Sequence, residues 1–246
     1  MNLKGKVAVV TGSSSGIGMA VARSLAGEGV SVVINSSKSA AAGQAIADSL
    51  PGAMYVQADI ADDAACRALA AATVARFGRL DILVNNAGTT QIIAHSDLAA
   101  VTDELWWRIL GVNVLGTWHM TRACVPALRA SRNGAVVNVT SVAGLRATGS
   151  SIPYAVSKAG LNHLTVLLAN VLGPQIRVNA VAPGLVDTPW SAGWDAARAS
   201  ARAHAPLRRS AQPEDVAEAV MGLIRARHVT GQVLTADGGM TLRYGR

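Results

Sequence analysis

The chain has 246 residues, half of them hydrophobic, with 24 glycines and a formal net charge of +7 from 22 basic and 15 acidic side chains. That length suits one large α/β domain with a substantial core, and the glycines suit buried parallel strands joined by tight turns. Only four of the basic residues are lysine and the arginines are scattered through alanine-rich helices, with no basic stripe interleaved with aromatics, so nucleic-acid binding is excluded; no run reaches the ~18 apolar residues of a membrane span.

The first strand, Val7 to Val10, runs directly into Thr11-Gly12-Ser13-Ser14-Ser15-Gly16-Ile17-Gly18, after which Ile17, Ala20, Val21 and Leu25 recur at helical spacing. Glycines allow a tight turn and close backbone approach, and the free N–H groups at the helix start attract a pyrophosphate. The spacing is Gly-x-x-x-Gly-x-Gly, which departs from the usual dinucleotide fingerprint. A plain glycine turn is the competing reading; position at the head of a repeated strand-helix pattern favours the nucleotide. The second strand, Val30 to Ile34, ends in Asn35-Ser36-Ser37-Lys38, and Ala40 to Ala47 reads as an alanine-rich helix. A dinucleotide fold that prefers NAD carries Asp or Glu at this strand end for the ribose 2′-hydroxyl. No acidic residue lies between Glu28 and Asp48, while Ser36, Ser37 and Lys38 offer donors and a cation, so NADP(H) is favoured and NAD(H) is the alternative.

Strands three and four are Met54 to Gln57 and Ile82 to Val84, the latter leading into Asn85-Asn86, which on its own reads equally as a strand-end turn. A long helix is expected from near Asp103 to Arg129, interrupted or kinked at Asn113. Strand five, Ala135 to Val139, is followed by Ser141, whose hydroxyl can project from the edge where parallel sheets place ligands. Tyr154 and Lys158 stand four apart on one helix face, with Ser150 or Ser151 as cap and Pro153 in the first turn. An ammonium beside a phenol lowers its pKa from about 10 and makes a tuned acid. Alone the pair is weak, since a surface Tyr-x-x-x-Lys arises by chance. Strands six and seven are Arg177 to Val181 and Gln232 to Thr235. The alternation predicts a doubly wound parallel sheet of about seven strands with helices on both faces, a single domain over 1–246. Cys66 and Cys124 lack metal spacing and read as small buried apolar residues in a reducing, cytoplasmic protein; Val7 to Val10 is too short for a signal-peptide core.

Together these motifs resemble the short-chain dehydrogenase/reductase family across nearly the whole chain: Thr11 to Gly18, Asp59-Ile60, Asn85-Asn86-Ala87-Gly88, Asn113, Ser141, Tyr154/Lys158, and Asn179-Ala-Val-Ala-Pro-Gly184 followed by Thr188. The resemblance implies a catalytic tetrad of Asn113, Ser141, Tyr154 and Lys158. It implies a nicotinamide dinucleotide across the strand ends, held by Gly12, Ser14, Ser15, Gly16, Ile17 and Gly18, with Asn35, Ser36, Ser37 and Lys38 at the adenosine ribose. Asp59 and Ile60 would flank the adenine, Asn86, Ala87 and Gly88 would line the ribose and phosphates, and Pro183, Gly184, Val186 and Thr188 would shape the nicotinamide side. No metal is required. Ser15 departs from the Arg or Lys that many NADP-preferring relatives carry. The implied reaction is hydride transfer between the cofactor and a carbonyl or secondary alcohol, with Tyr154 giving or taking the proton, Ser141 bonding the same oxygen, Lys158 tuning the phenol and Asn113 anchoring a water.

The family's variable wall corresponds to 185–209, bounded by Pro206, a segment that can act as a lid; its Trp190 and Trp194 suit an apolar or aromatic carbonyl substrate and equally well rings packed against the sheet. Arg198, Arg202, Arg208 and Arg209 read as a solvated helix face, and His95 and His204 as exposed bystanders near the mouth. A 3-oxoacyl-acyl-carrier-protein reductase is a close alternative, with Arg129 and Arg132 as docking charge, although Ala169 to Ile176 lacks the charged residues often found there. A non-catalytic redox sensor is the alternative of another class; the intact tetrad argues against it. The helix after Tyr154 is apolar nearly all round, and Val114, Leu115, Trp118, Met120, Val125 and Leu128 exceed a one-sided stripe, so a homo-oligomer, a tetramer as in the family, is expected.

Overall fold

In the computed structural model, which describes residues 2–243, the glycine turn, Ser141 and the Tyr154/Lys158 pair gather along one edge of a seven-stranded parallel sheet. The strands are β1 (Val7–Val10), β2 (Ser31–Ser36), β3 (Met54–Gln57), β4 (Ile82–Asn85), β5 (Gly134–Val139), β6 (Ile176–Pro183) and β7 (Val233–Ala236). Their order is β3-β2-β1-β4-β5-β6-β7. The order reverses between β1 and β4, and at such a switch point the loops after neighbouring strands diverge and open a crevice.

The helices are α1 (Gly16–Gly27), α2 (Ala40–Asp48), α3 (Asp63–Phe77), α4 (Asp103–Leu110), α5 (Thr117–Ala130), α6 (Ile152–Leu172), α7 (Asp195–His204) and α8 (Pro213–Arg225). Period-two alternation divides the core between the faces. Ala8, Val10, Val32 and Ile34 pack with Val21 and Leu25 of α1 and Val216 and Val220 of α8. Val7, Val9 and Val33 face Leu69 of α3, Met120 and Leu128 of α5, and Leu168 of α6. The central strands β1, β4, β5 and β6 are buried along their whole length. That burial is why they read as continuous apolar runs.

The expected long helix is three segments in line. Between α4 and α5, Gly111–Gly116 winds as a π-helical turn that contains Asn113, so the interruption expected at Asn113 takes the form of a widened turn. Ser151 sits at the N-cap of α6 with extended backbone, yet its buried hydroxyl makes no capping bond. The expected side-chain cap is therefore absent; Pro153 in the first turn fits as expected. Arg177, whose burial the sequence did not signal, donates to the carbonyls of Leu223, Ile224 and Ala226 and so closes the C-terminus of α8.

Candidate active site

The glycine loop is built by close approach. Gly12 and Gly16 have φ of +62° and +54°, and a Cβ on Gly12 would stand 2.8 Å from the Ala87 Cα. Thr11, directly before the turn, ties this loop to the one after β4: its hydroxyl accepts from the N–H groups of Asn86 and Ala87, both at 3.0 Å. Asn86 returns two bonds, to the carbonyls of Thr11 at 3.0 Å and Gly12 at 2.9 Å. Asn86 therefore holds the floor of the crevice from inside the protein.

Asn113 is fully buried and spends its amide on its neighbours. It accepts from the Thr89 N–H at 2.7 Å and donates to the Thr89 carbonyl at 3.0 Å and the Ser157 hydroxyl at 2.9 Å. Ser157 in turn donates to the Tyr154 carbonyl at 2.7 Å. Both side-chain donors of Asn113 are thus committed, so a relay water would have only its oxygens to bind. Ser157 was missed in the sequence, although its place one residue before Lys158 was a usable signal.

Ser141 leaves the end of β5 and caps a single 3₁₀ turn, Val142–Gly144, accepting from the Ala143 N–H at 3.1 Å. That turn lies directly on α6: a Cβ on Gly144 would stand 2.5 Å from the carbonyl carbon of Lys158. The Ser141 hydroxyl reaches the Tyr154 phenol. Lys158 is buried, donates to the Val139 carbonyl at 3.0 Å, and lies 5.7 Å from the centre of the Tyr154 ring. Burial pulls its pKa down from 10.5 to about 8. Burial also pushes the half-buried Tyr154 phenol above its usual 10, with the Ser141 hydroxyl pulling the other way. This runs against the sequence expectation of a lowered phenol: desolvation is the largest influence, and the Ser141 hydroxyl opposes it only in part.

These groups line one cleft of about 1090 Å³ that runs from Ser14 past Lys38 and Asp59 to Tyr154 and Trp190. Every site residue expected from the sequence lines it except Gly18 and Asn113, which sit behind its wall. Gly18 packs so tightly on the carbonyl of Gly12 that no side chain fits there. Neither Asn35 nor Ser36 presents its side chain freely. Asn35 accepts from the Gly12 N–H and donates to the carbonyls of Val56 and Ala58, and Ser36 shares a 2.9 Å bond with the Tyr55 hydroxyl. Ser37 and Lys38 are exposed. The start of α1 opens on the cleft without an acidic residue in its first turn, so the cradle fits a dinucleotide whose pyrophosphate would lie there.

Trp190 and Trp194 line the cleft, whereas His95 and His204 do not. His95 is half-buried, contrary to the expectation of exposure. The arginines expected on a solvated face are partly fastened: Arg198 pairs with Asp187 at 2.7 Å, which also accepts from Ser210, and Arg209 pairs with Asp215. They hold the base of the 185–209 segment. A second cavity of about 410 Å³ beside Pro206 and Gly239 contains no member of the tetrad. Cys66 and Cys124 are buried free thiols, and burial pushes both upward, Cys66 to about 12.

A doubly wound parallel sheet with its cleft at the switch point, and Ser141, Tyr154 and Lys158 grouped at one end, defines a Rossmann-type oxidoreductase. A family model described as enoyl-(acyl carrier protein) reductase matches residues 12–241. The chain belongs to the short-chain dehydrogenase/reductase family. It is 56% identical, over 96% of each chain, to the Streptomyces violaceoruber protein designated granaticin polyketide synthase ketoacyl reductase 2. It is 37% identical to the 3-oxoacyl-[acyl-carrier-protein] reductase of Thermotoga maritima, over 98% of this chain and all of that one. A solved structure from Burkholderia xenovorans, described as a short-chain dehydrogenase/reductase, superposes with a TM-score of 0.89 at 41% identity, over 96% of this chain and 98% of the other.

Proposed function

We propose that this protein is an NADP(H)-dependent reductase of carbonyl compounds, working in reverse on secondary alcohols, with Tyr154 as its general acid and base. The observation that carries this reading is the meeting of Ser141, Tyr154 and buried Lys158 at one end of a cleft whose other end is a glycine-lined helix start. When bound, the nicotinamide supplies or accepts the hydride. Tyr154 Oη gives its proton to the carbonyl oxygen as negative charge develops there, and the Ser141 hydroxyl donates to the same oxygen. The raised phenol pKa keeps Tyr154 protonated at neutral pH, which suits reduction. Lys158, fixed by the Val139 carbonyl, stabilises the phenolate that proton transfer leaves behind. Asn113 clamps Thr89 to Ser157 and so holds the α6 start against the loop after β4.

Preference for NADP(H) rests on Ser37 and Lys38, exposed at the end of β2 with no carboxylate from Glu28 to Asp48. The hydroxyl of Ser36 is already taken by Tyr55 and adds little. Among carbonyl compounds, 3-oxoacyl thioesters come first, because two relatives are named for ketoacyl reduction. Leu115 and Trp118 near the π turn, and Val166, Leu167 and Val171 on α6, are exposed apolar side chains whose burial against further copies would make a homo-oligomer, in the family manner a tetramer. Two buried free thiols and no helix among the described residues long and apolar enough to cross a membrane favour residence in the cytoplasm.

The deciding experiment measures oxidation of NADPH and of NADH by the purified protein over ketones, quinones and acyl thioesters. NADPH should be favoured by about 10-fold or more in kcat/KM, the worth of one or two charge-assisted contacts. Preference for NADH would overturn the cofactor assignment, and no turnover with either across the panel would overturn the enzyme reading.

A further inference from the structure

Arg108 lies in the last turn of α4, four residues before Val112, and both line the catalytic cleft together with Ile92. It makes no ion pair within 4.0 Å among the described residues. Its Nη2 instead donates to the side-chain oxygen of Gln91 at 2.6 Å. Among the described residues that line the cleft, the other arginine, Arg209, is neutralised by Asp215, Lys158 is buried beneath the site, and Lys38 stands exposed at the end of β2. Arg108 is therefore an uncompensated cation on the cleft wall.

Its partner is held in place. The Thr89 N–H donates to Asn113, the Thr90 and Ser150 hydroxyls share a 2.5 Å bond, and the Ile93 N–H donates to the Ser150 carbonyl at 2.8 Å. Gln91 thus sits in a segment pinned on both sides, against the residues that lead into Tyr154. A neutral carboxamide orients a guanidinium without cancelling its charge, and leaves its other N–H groups free for a carboxylate or phosphate, which arginine matches in a two-pronged fashion. Among the described residues, the only acidic ones lining the cleft are Asp59 and Asp237.

Resting on the carbonyl-reductase reading above, we infer that Arg108 is a specificity-determining anchor for an anionic group, carboxylate or phosphate, carried by the substrate away from its carbonyl, with Gln91 as the positioning residue. The test uses two matched pairs: a keto acid with its methyl ester, and a 3-oxoacyl pantetheine 4′-phosphate with the unphosphorylated thioester. Wild type should favour the charged member of at least one pair by about 10-fold or more in kcat/KM, mainly through KM, as expected for one charge-assisted contact. The pair that responds tells carboxylate from phosphate. Arg108→Gln should bring that ratio to near unity, Arg108→Lys should keep part of it, and Gln91→Ala should fall between. A ratio unchanged in Arg108→Gln for both pairs, including a proportional loss on charged and neutral substrates, overturns the inference while leaving the reductase reading intact. Wild type inert toward all four compounds and the broader carbonyl panel would overturn both together.

Discussion

Replacing Lys158 with Met should make the protein more stable at neutral pH while it abolishes turnover. Lys158 is 4% exposed, and burial pulls its pKa from 10.5 to about 8. A lysine whose folded pKa lies below its unfolded value favours the neutral form in the fold, so its charge costs stability at every pH below about 8. The cost fades as pH rises from about 8 toward 10.5. At about 1.4 kcal/mol per unit, the penalty at neutral pH is about 3 kcal/mol. Methionine keeps an unbranched stem without the charge, and losing the bond to the Val139 carbonyl takes back about 1–2 kcal/mol. The net gain of about 1–2 kcal/mol corresponds to a rise of about 2–8 °C in Tm for a chain of this size. Calorimetry at fixed protein concentration, near pH 7 and again near pH 9.5, reads it directly, and the gain should shrink at the higher pH. A Tm lowered at neutral pH, or a gain that does not depend on pH, would refute the claim that burial of this charge strains the fold.

Three further outcomes follow from the site. Carbonyl reduction should decline as pH rises through about 8, where Lys158 loses its charge, and a kcat profile flat well beyond that point would contradict the role given to its ammonium. Ser37→Asp should lower the NADPH-to-NADH ratio of kcat/KM by about 10-fold or more through repulsion of a 2′-phosphate, whereas an unchanged ratio would move the cofactor's ribose elsewhere. Light scattering at micromolar concentration should give a tetrameric mass for the wild type and smaller species for Leu167→Glu with Val171→Glu; a fully active wild-type monomer would sink the assembly proposal.

The elements legible in the sequence were those whose physics is local or periodic. Buried strands such as β4 and β5 wrote themselves as apolar runs, and the glycine turn announced itself through close approaches that only glycine permits. Tyr154 and Lys158 were found because helical spacing fixes their face. What escaped depends on partners far apart in the chain. The hydroxyl of Ser36 looked available until Tyr55 was seen to take it, and the orphaned hydroxyl of Ser151 could not be told from a working cap. The phenol's direction of shift was misjudged because desolvation is a property of the packed site, absent from any i, i+4 rule. The π form of Gly111–Gly116 and the closure of α8 by Arg177 likewise arise from tertiary contact.

The most direct test of the account is Tyr154→Phe, which removes the hydroxyl and keeps the ring. With the preferred carbonyl substrate, kcat should fall by about 10² or more, while NADPH binding, followed by fluorescence titration, stays within a few-fold of wild type. Turnover retained at the wild-type level would remove Tyr154 from proton transfer and contradict the mechanism.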